Sequence, residues 1–285
     1  MKVSAVIALR ASHPLPLLLA AAGLPRSTFF HRQAALTAPD RHAELRARIH
    51  EVFTEAKGRY GHRRIHAFLR RQGWQVAKKT VLKLMRAENL VCKVRSSRRR
   101  YSSYKGQVGK IAENLLKRQF VTAAPNLTWV TDVTEFKVAD RKVYLSPVMD
   151  LFDRSVVSFA VSESPNTAFT NRSLSEAIST LGPGEAPMVH SDQGFQYQHA
   201  SWQKLLSNAG MTQSMSRKGN CLDNSVMENF FGHLKEEMFH HQEHTSPESF
   251  ITELEDYIRW YNKDRISLTL ECLSPMEYRA QALAT

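Results

Sequence analysis

TWVTDVTEFKV, residues Thr128–Val138, is the stretch on which the reading of this chain turns. It is crowded with β-branched and aromatic residues and so predicts a strand, with Asp132 in its middle. An acid is disfavoured there unless it faces water or has work to do. Two further strand candidates follow, RKVYLSPVMDLF (141–152) and SVVSFAVSE (155–163). The short turns Ala139-Asp140 and Asp153-Arg154 join them.

Beyond them the pattern alternates. A helix is expected over 167–181, closed by Gly182-Pro183-Gly184, then a strand from Met188 to Asp192 and a helix over 199–209. A short strand near Thr212 precedes the helix-like run SVMENFFGHLKEEM (225–238). Three antiparallel strands followed by alternating α and β is the order of a ribonuclease H-like mixed sheet, so the expected class is α/β. Upstream, Leu17–Ala22, Gly23 and Pro25–Gln33 outline a helix-turn-helix. Arg26 and Ser27 are its candidate phosphate contacts, Ser27 also a candidate helix cap. A second pair, GHRRIHAFLRRQG (61–73) and VAKKTVLKLMRAENL (76–90), sets an apolar face against Lys78, Lys79, Lys83 and Arg86. Two amphipathic helices, 247–262 and 275–282, close the chain. The expected domains are a helical DNA-binding region at 1–90, a basic linker at 91–120, a catalytic core at 121–240 and a C-terminal helical extension at 241–285.

Charge separates the two ends of the chain. Of the net +12, residues 1–118 carry +20 and residues 119–285 carry −8. A front half of that sign binds polyanions, and nucleic acid is the expected one. The Ser-rich stretch VCKVRSSRRRYSSYKG (91–106) offers Arg98, Arg99 and Arg100 to phosphates and Tyr101 and Tyr104 for stacking or packing. A solvated connector is the competing reading. Three scattered cysteines, with no C-x-x-C pair, argue against disulfides and zinc ribbons. The apolar run Leu15–Leu24 falls short of the ~20 residues of a membrane span, so a cytoplasmic, nucleoid-associated protein is expected.

Three acids then stand out. Asp132 lies in a strand pattern, Asp192 follows one, and Glu228 opens a helix pattern 35 intervening residues later. Carboxylates so placed can converge on two Mg²⁺ ions, for which Mn²⁺ would substitute, with phosphates completing the shells. Two such ions about 4 Å apart stabilise both the attacking and the leaving oxygen of an in-line phosphoryl displacement. Each acid also has a bland reading: an exposed edge, a Gly-turn acid and a helix first-turn acid. Asp150 is the strongest rival, followed by Glu135, Asp153 and Asp223. Lys235, two turns after Glu228, shares its face and can meet phosphate. The loop SRKGNCLDN (216–224) presents Lys218 and Asn220 to a groove or to phosphates. His190 either orients Asp192 or packs. His240, His241 and His244 match no zinc spacing.

These residues sit within longer motifs. YGHRRI (60–65), TWVTDVTEF, YLSPVMDLFDR (144–154), HSDQGFQY (190–197), SMSRKGNCLDNSVMENFFGHLKEE (214–237), YIRWYN (257–262) and LSPMEY (273–278) resemble the second open reading frame product of the insertion sequence 3 family of bacterial transposases, relatives of retroviral integrases. The resemblance implies Asp132, Asp192 and Glu228 as catalytic metal ligands, with Lys235 as the basic residue after them. It implies cleavage of double-stranded DNA at the element's terminal inverted repeats and strand transfer to a target through a freed 3′-hydroxyl. It also implies homo-oligomers on DNA and an upstream reading frame product as fusion or partner. A DNA-binding repressor with an inactive ribonuclease H-like domain, and a nuclease that cuts without joining, are the alternatives. Two departures are visible: His62 stands where an aromatic is common, and Glu271-Cys272 where a Gly-containing turn is expected.

Overall fold

The run Thr128–Val138 forms two strands, β1 (Thr128–Thr131) and β2 (Thr134–Val138), with Asp132 and Val133 between them. Both pair antiparallel with β3 (Arg141–Asp150) in one continuous register: Thr131 faces Val148, and Thr134 faces Leu145. Carried across the gap, that register sets Asp132 opposite Pro147. Proline has no N–H for the ladder, so pairing lapses there. The Pro147 carbonyl accepts the Thr131 hydroxyl instead, at 2.8 Å. The expectation of an unbroken strand through Asp132 is therefore corrected: this acid follows a strand end.

The other strands are β4 (Val156–Ser162), β5 (Met188–Ser191) and β6 (Gln213–Met215). β4 pairs antiparallel with β3, while β5 runs parallel to β1 and β6 parallel to β5. Across the sheet the order is β4, β3, β1 continued by β2, β5, β6. The computed structural model describes residues 2–93, 111–217, 221–240 and 242–284, without the side chains of Thr37, Cys221 and Leu222.

The helices are α1 (Lys2–Leu9), α2 (Leu15–Ala22), α3 (Arg26–Thr37), α4 (Ala43–Glu55), α5 (His62–Arg71) and α6 (Lys78–Ala87). After the first four strands come α7 (Thr167–Ile178), α8 (Phe195–Gln198), α9 (Ala200–Asn208), α10 (Ser225–Leu234), α11 (Pro247–Lys263) and α12 (Pro275–Leu283). All four residues of β1 are buried, as a central strand with both faces covered requires. Trp129 packs on one face with Leu174 of α7 and Trp202 and Leu206 of α9. Val130 packs on the other with Met227, Phe230 and Leu234 of α10 and Phe250, Leu254 and Tyr257 of α11. The result is a helix–sheet–helix sandwich, the α/β class expected.

The chain divides into two compact units, Met1–Glu51 and Val52–Thr285. In the first, Val3, Val6, Leu19 and Phe29 form a small core, and Gly23, at φ 58°, takes the left-handed turn that ends α2. The apolar Leu15–Leu24 run thus supplies the first helix and the turn of a helix-turn-helix, α2–α3. No helix among the described residues is long and apolar enough to cross a membrane.

In the second unit α5 and α6 bury Ile65 and Leu69, and Val81, Leu84 and Met85. The Tyr60 hydroxyl donates to the Asp264 carbonyl (3.1 Å) and accepts from Ile266 N (2.9 Å), seating this helix pair beside the end of α11. A π-helical turn, Lys235–Phe239, continues α10, and its Glu237 carboxylate is wholly buried. It accepts from Arg64 (3.0 Å), Arg265 (2.7 and 2.8 Å) and the Tyr257 hydroxyl (2.9 Å).

Candidate active site

The register of β1 on β5 places the first two acids. Thr128 faces Met188, Trp129 faces Val189 and Val130 faces His190, a constant offset of 60 residues. Two residues further along, the same offset sets Asp132 beside Asp192, where the two parallel strands end. Neighbouring strands lie about 4.8 Å apart, and alternation puts residues 130 and 132 on one face. That face is the one α10 covers, and Glu228 stands in the first turn of α10. Proximity shows electrostatically: burial raises the Asp132 carboxyl well above its ordinary range, and the charges of Asp192 and Glu228 raise it further. Burial also raises Asp192 and Glu228.

Each carboxylate is oriented from its own neighbourhood. Asp132 Oδ1 accepts from Val133 N at 2.7 Å, and Oδ2 accepts from Asn224 Nδ2 at 3.0 Å. Asp192 Oδ1 accepts from Gly194 N at 2.8 Å, the Asx turn that starts α8. A Cβ on Gly194 would lie 2.6 Å from the Gln196 amide nitrogen and 3.0 Å from that same oxygen, so a side chain there would displace both. The Gly-turn reading of Asp192 thus holds for one oxygen, while the group still faces Asp132. The donor set is all oxygen and rich in charge, and the Asn224 Oδ1 is buried without a hydrogen-bond partner among the described residues. That set suits a hard divalent cation. Among the described residues no three His, Cys, Asp or Glu side chains are gathered closely enough to hold a metal unaided.

Lys235 lies on this side of α10. Its ammonium is 5.3 Å from the Phe136 ring centroid; burial lowers its pKa, while Glu135 and Asp132 act in the opposite direction. The rival acids are otherwise engaged. Asp150, fully buried, accepts from Asn126 N (2.8 Å), Phe152 N (2.9 Å) and Arg279 of α12 (2.6 Å). Asp153 pairs with the same guanidinium. Asp223 is buried among Asn114, Arg118 and Arg217, and hydrogen bonds from Arg217 and Arg118 hold its carboxyl far below the usual range. His190 does not reach Asp192. Its nitrogens meet Ser214 Oγ (2.9 Å) and the Asp223 carbonyl (3.0 Å), and burial lowers its pKa to about 4.

Lys78 and Lys79 are exposed at the start of α6. Arg26 is exposed at the start of α3, its guanidinium 5.4 Å from the Phe30 ring centroid. Ser27 is exposed but caps nothing, because α3 begins after Pro25 without a side-chain cap; that expectation is corrected. Arg98, Arg99, Arg100, Lys218 and Asn220 lie outside the described residues. Sequence reading missed Asn224, whose only signal is an Asn four residues before Glu228.

Comparison with known proteins identifies the family. A model of the integrase core domain matches residues 122–221, a second integrase core model matches 228–283, and an HTH-like domain model matches 40–100. InsK of Escherichia coli K12, assigned as a transposase for insertion sequence element IS150, is 47% identical over 273 residues, 96% of each chain. Transposase InsF for insertion sequence IS3A, from the same organism, is 33% identical over 236 residues, 82% of this chain and 81% of that protein. Among solved structures, a simian T-cell lymphotropic virus intasome aligns with a TM-score of 0.47 and 18% identity, covering 72% of this chain and 67% of that one. The chain is a DDE-type polynucleotidyl transferase with an integrase core. The chain belongs to the insertion sequence 3 family of transposases.

Proposed function

We propose that Asp132, Asp192 and Glu228 are the catalytic metal ligands of a transposase that cleaves DNA at the terminal inverted repeats of its element and joins the freed 3′-hydroxyl to a target. The observation that carries this reading is the 60-residue offset that sets Asp132 beside Asp192 under the first turn of α10. Two Mg²⁺ ions, or Mn²⁺ in their place, would be held by these carboxylates and supply charge stabilisation to the attacking and leaving oxygens. The residues themselves hold the acids in fixed orientation, through Val133, Gly194 and Asn224, and crowd like charges that a cation relieves. Lys235 stands where it can meet a phosphate beside the acids.

In this reading residues 1–90 bind the element ends, through Arg26, Ser27, Lys78 and Lys79, and the basic stretch 91–120 follows the backbone through Arg98, Arg99 and Arg100. Lys218 and Asn220 contact DNA from the loop before α10. The working form is a homo-oligomer on nucleoid DNA in the cytoplasm, with the upstream reading frame product as fusion or partner. The test incubates the protein with labelled element-end duplex and Mg²⁺ or Mn²⁺ and looks for nicked and joined strands. Joining is expected. Nicking alone indicates a nuclease, and bound but uncut DNA a repressor. Glu228→Gln should abolish both products and leave DNA binding intact; full activity in that variant overturns the assignment.

A further inference from the structure

We infer that Asn224 is a positioning residue for Asp132, and that residues 114–118 set it in place through Asp223. The inference rests on Asp132 being a metal ligand. Asn224 occupies the cap position of α10, where an Asn side chain ordinarily accepts an amide N–H of the first turn. It makes no such bond. Its Nδ2 donates to Asp132 Oδ2 at 3.0 Å instead, and its Oδ1 stays buried without a partner among the described residues. An orphaned amide oxygen is unfavourable. The helix start forgoes its cap to hold a carboxylate, and Val133 N fixes the other oxygen of that acid.

Asp223 locks the turn Cys221–Asn224 from the other side. Its carboxylate accepts from Asn114 Nδ2 (2.9 Å), Arg118 Nε (2.8 Å) and three Arg217 nitrogens (3.0 to 3.1 Å). Ser214 Oγ accepts from Leu115 N (3.0 Å) and Leu116 N (3.3 Å), so its one proton goes to His190 Nδ1. His190 Nε2–H is then left to donate to the Asp223 carbonyl. Four residues at the end of the basic stretch, Asn114, Leu115, Leu116 and Arg118, thereby reach the acid through two consecutive residues of one turn. Seating that stretch and orienting Asp132 are a single event.

The test uses full-length protein with a bound element-end duplex and follows free Mn²⁺ by electron paramagnetic resonance, alongside thermal unfolding. Asn224→Ser can still cap α10 but drops the bond to Asp132; Asn224→Leu keeps the volume and drops both polar atoms. Both are expected to bind Mn²⁺ 10- to 100-fold more weakly, with the Ser variant melting no lower than wild type. Arg118→Ala should weaken Mn²⁺ binding by a smaller factor, about threefold. Wild-type Mn²⁺ affinity in a folded Asn224→Ser protein, or a lowered melting temperature with affinity unchanged, overturns the inference. If the wild type itself binds no Mn²⁺, the metal-ligand reading falls, and this inference with it.

Discussion

Glu237 and Asp132 are both carboxylates taken out of water in the same unit, and the fold treats them in opposite ways. Around Glu237 the chain has brought Arg64 from α5, Arg265 from beyond α11 and the Tyr257 hydroxyl from within α11. Arg59 adds its Nε to the Glu237 carbonyl and lies over the Trp260 ring. Against the burial that would raise it, Arg265 and Arg64 hold the carboxyl down to about 2. Around Asp132 the chain has brought two more acids, and burial, with their charges added, pushes its carboxyl up. A carboxylate supplied with its own cations is a strut, whereas one left with like charges awaits a cation from outside.

The largest effect that tests this contrast is on chemistry. Asp132→Asn should lower cleavage and joining at least 10³-fold, about 4 kcal/mol of barrier. The same variant relieves like-charge crowding, so without divalent cations at neutral pH it should melt higher than wild type, by about 1 kcal/mol of stability. Loss of activity together with loss of stability would make Asp132 a strut as well.

Glu237→Gln should do the reverse. It leaves buried guanidiniums unpaired, so unfolding in urea should show a loss of about 3 kcal/mol. pH supplies a second measure. Glu237 titrates lower in the folded chain than its ordinary 4.5, so its contribution is complete above about pH 4.5 and is lost as pH falls toward about 2. In Glu237→Gln that part of the acid limb should flatten. An unchanged limb would mean the arginines hold this turn without help from the carboxylate.

The contrast also marks what sequence could and could not reveal. The β-rich composition of Thr128–Val138 and the alternating elements after it announced an α/β sheet, because strand preference is local. The break at Asp132 was hidden, because its cause is Pro147 on a different strand. The acids could be picked out individually, but the adjacency of Asp132 and Asp192 exists only through the register of β1 on β5. Asp150 is the strongest rival in the sequence, ranked below Asp132, and only the fold shows that Arg279, 129 residues away, claims it. Glu237 gave no signal at all, since its partners come from three separate segments. Asn224 read as part of a DNA-reaching loop, when its amide is turned inward onto Asp132.

The smallest effect lies in the turn where a glycine was expected. Glu271 and Cys272 take φ values of 54° and 65°, two consecutive side-chain-bearing residues in the left-handed region. Each such residue costs roughly 1 kcal/mol or more relative to glycine. The turn is held regardless: Cys272 N donates to the Ser267 carbonyl at 3.0 Å, and Ser267 pairs with Leu273. Arg71 of α5 donates to the Cys272 carbonyl at 3.3 Å and to Glu277 of α12 at 2.5 Å. Glu271→Gly removes one strained side chain but loosens the unfolded chain, which returns part of the gain. A net stabilisation of about 0.5 kcal/mol follows, a rise of roughly 1–2 °C in melting temperature for a unit of this size. Cleavage should be unaffected, since the turn touches neither the acids nor Asn224. A fall in melting temperature would show that the Glu271 side chain makes a favourable contact worth more than the strain.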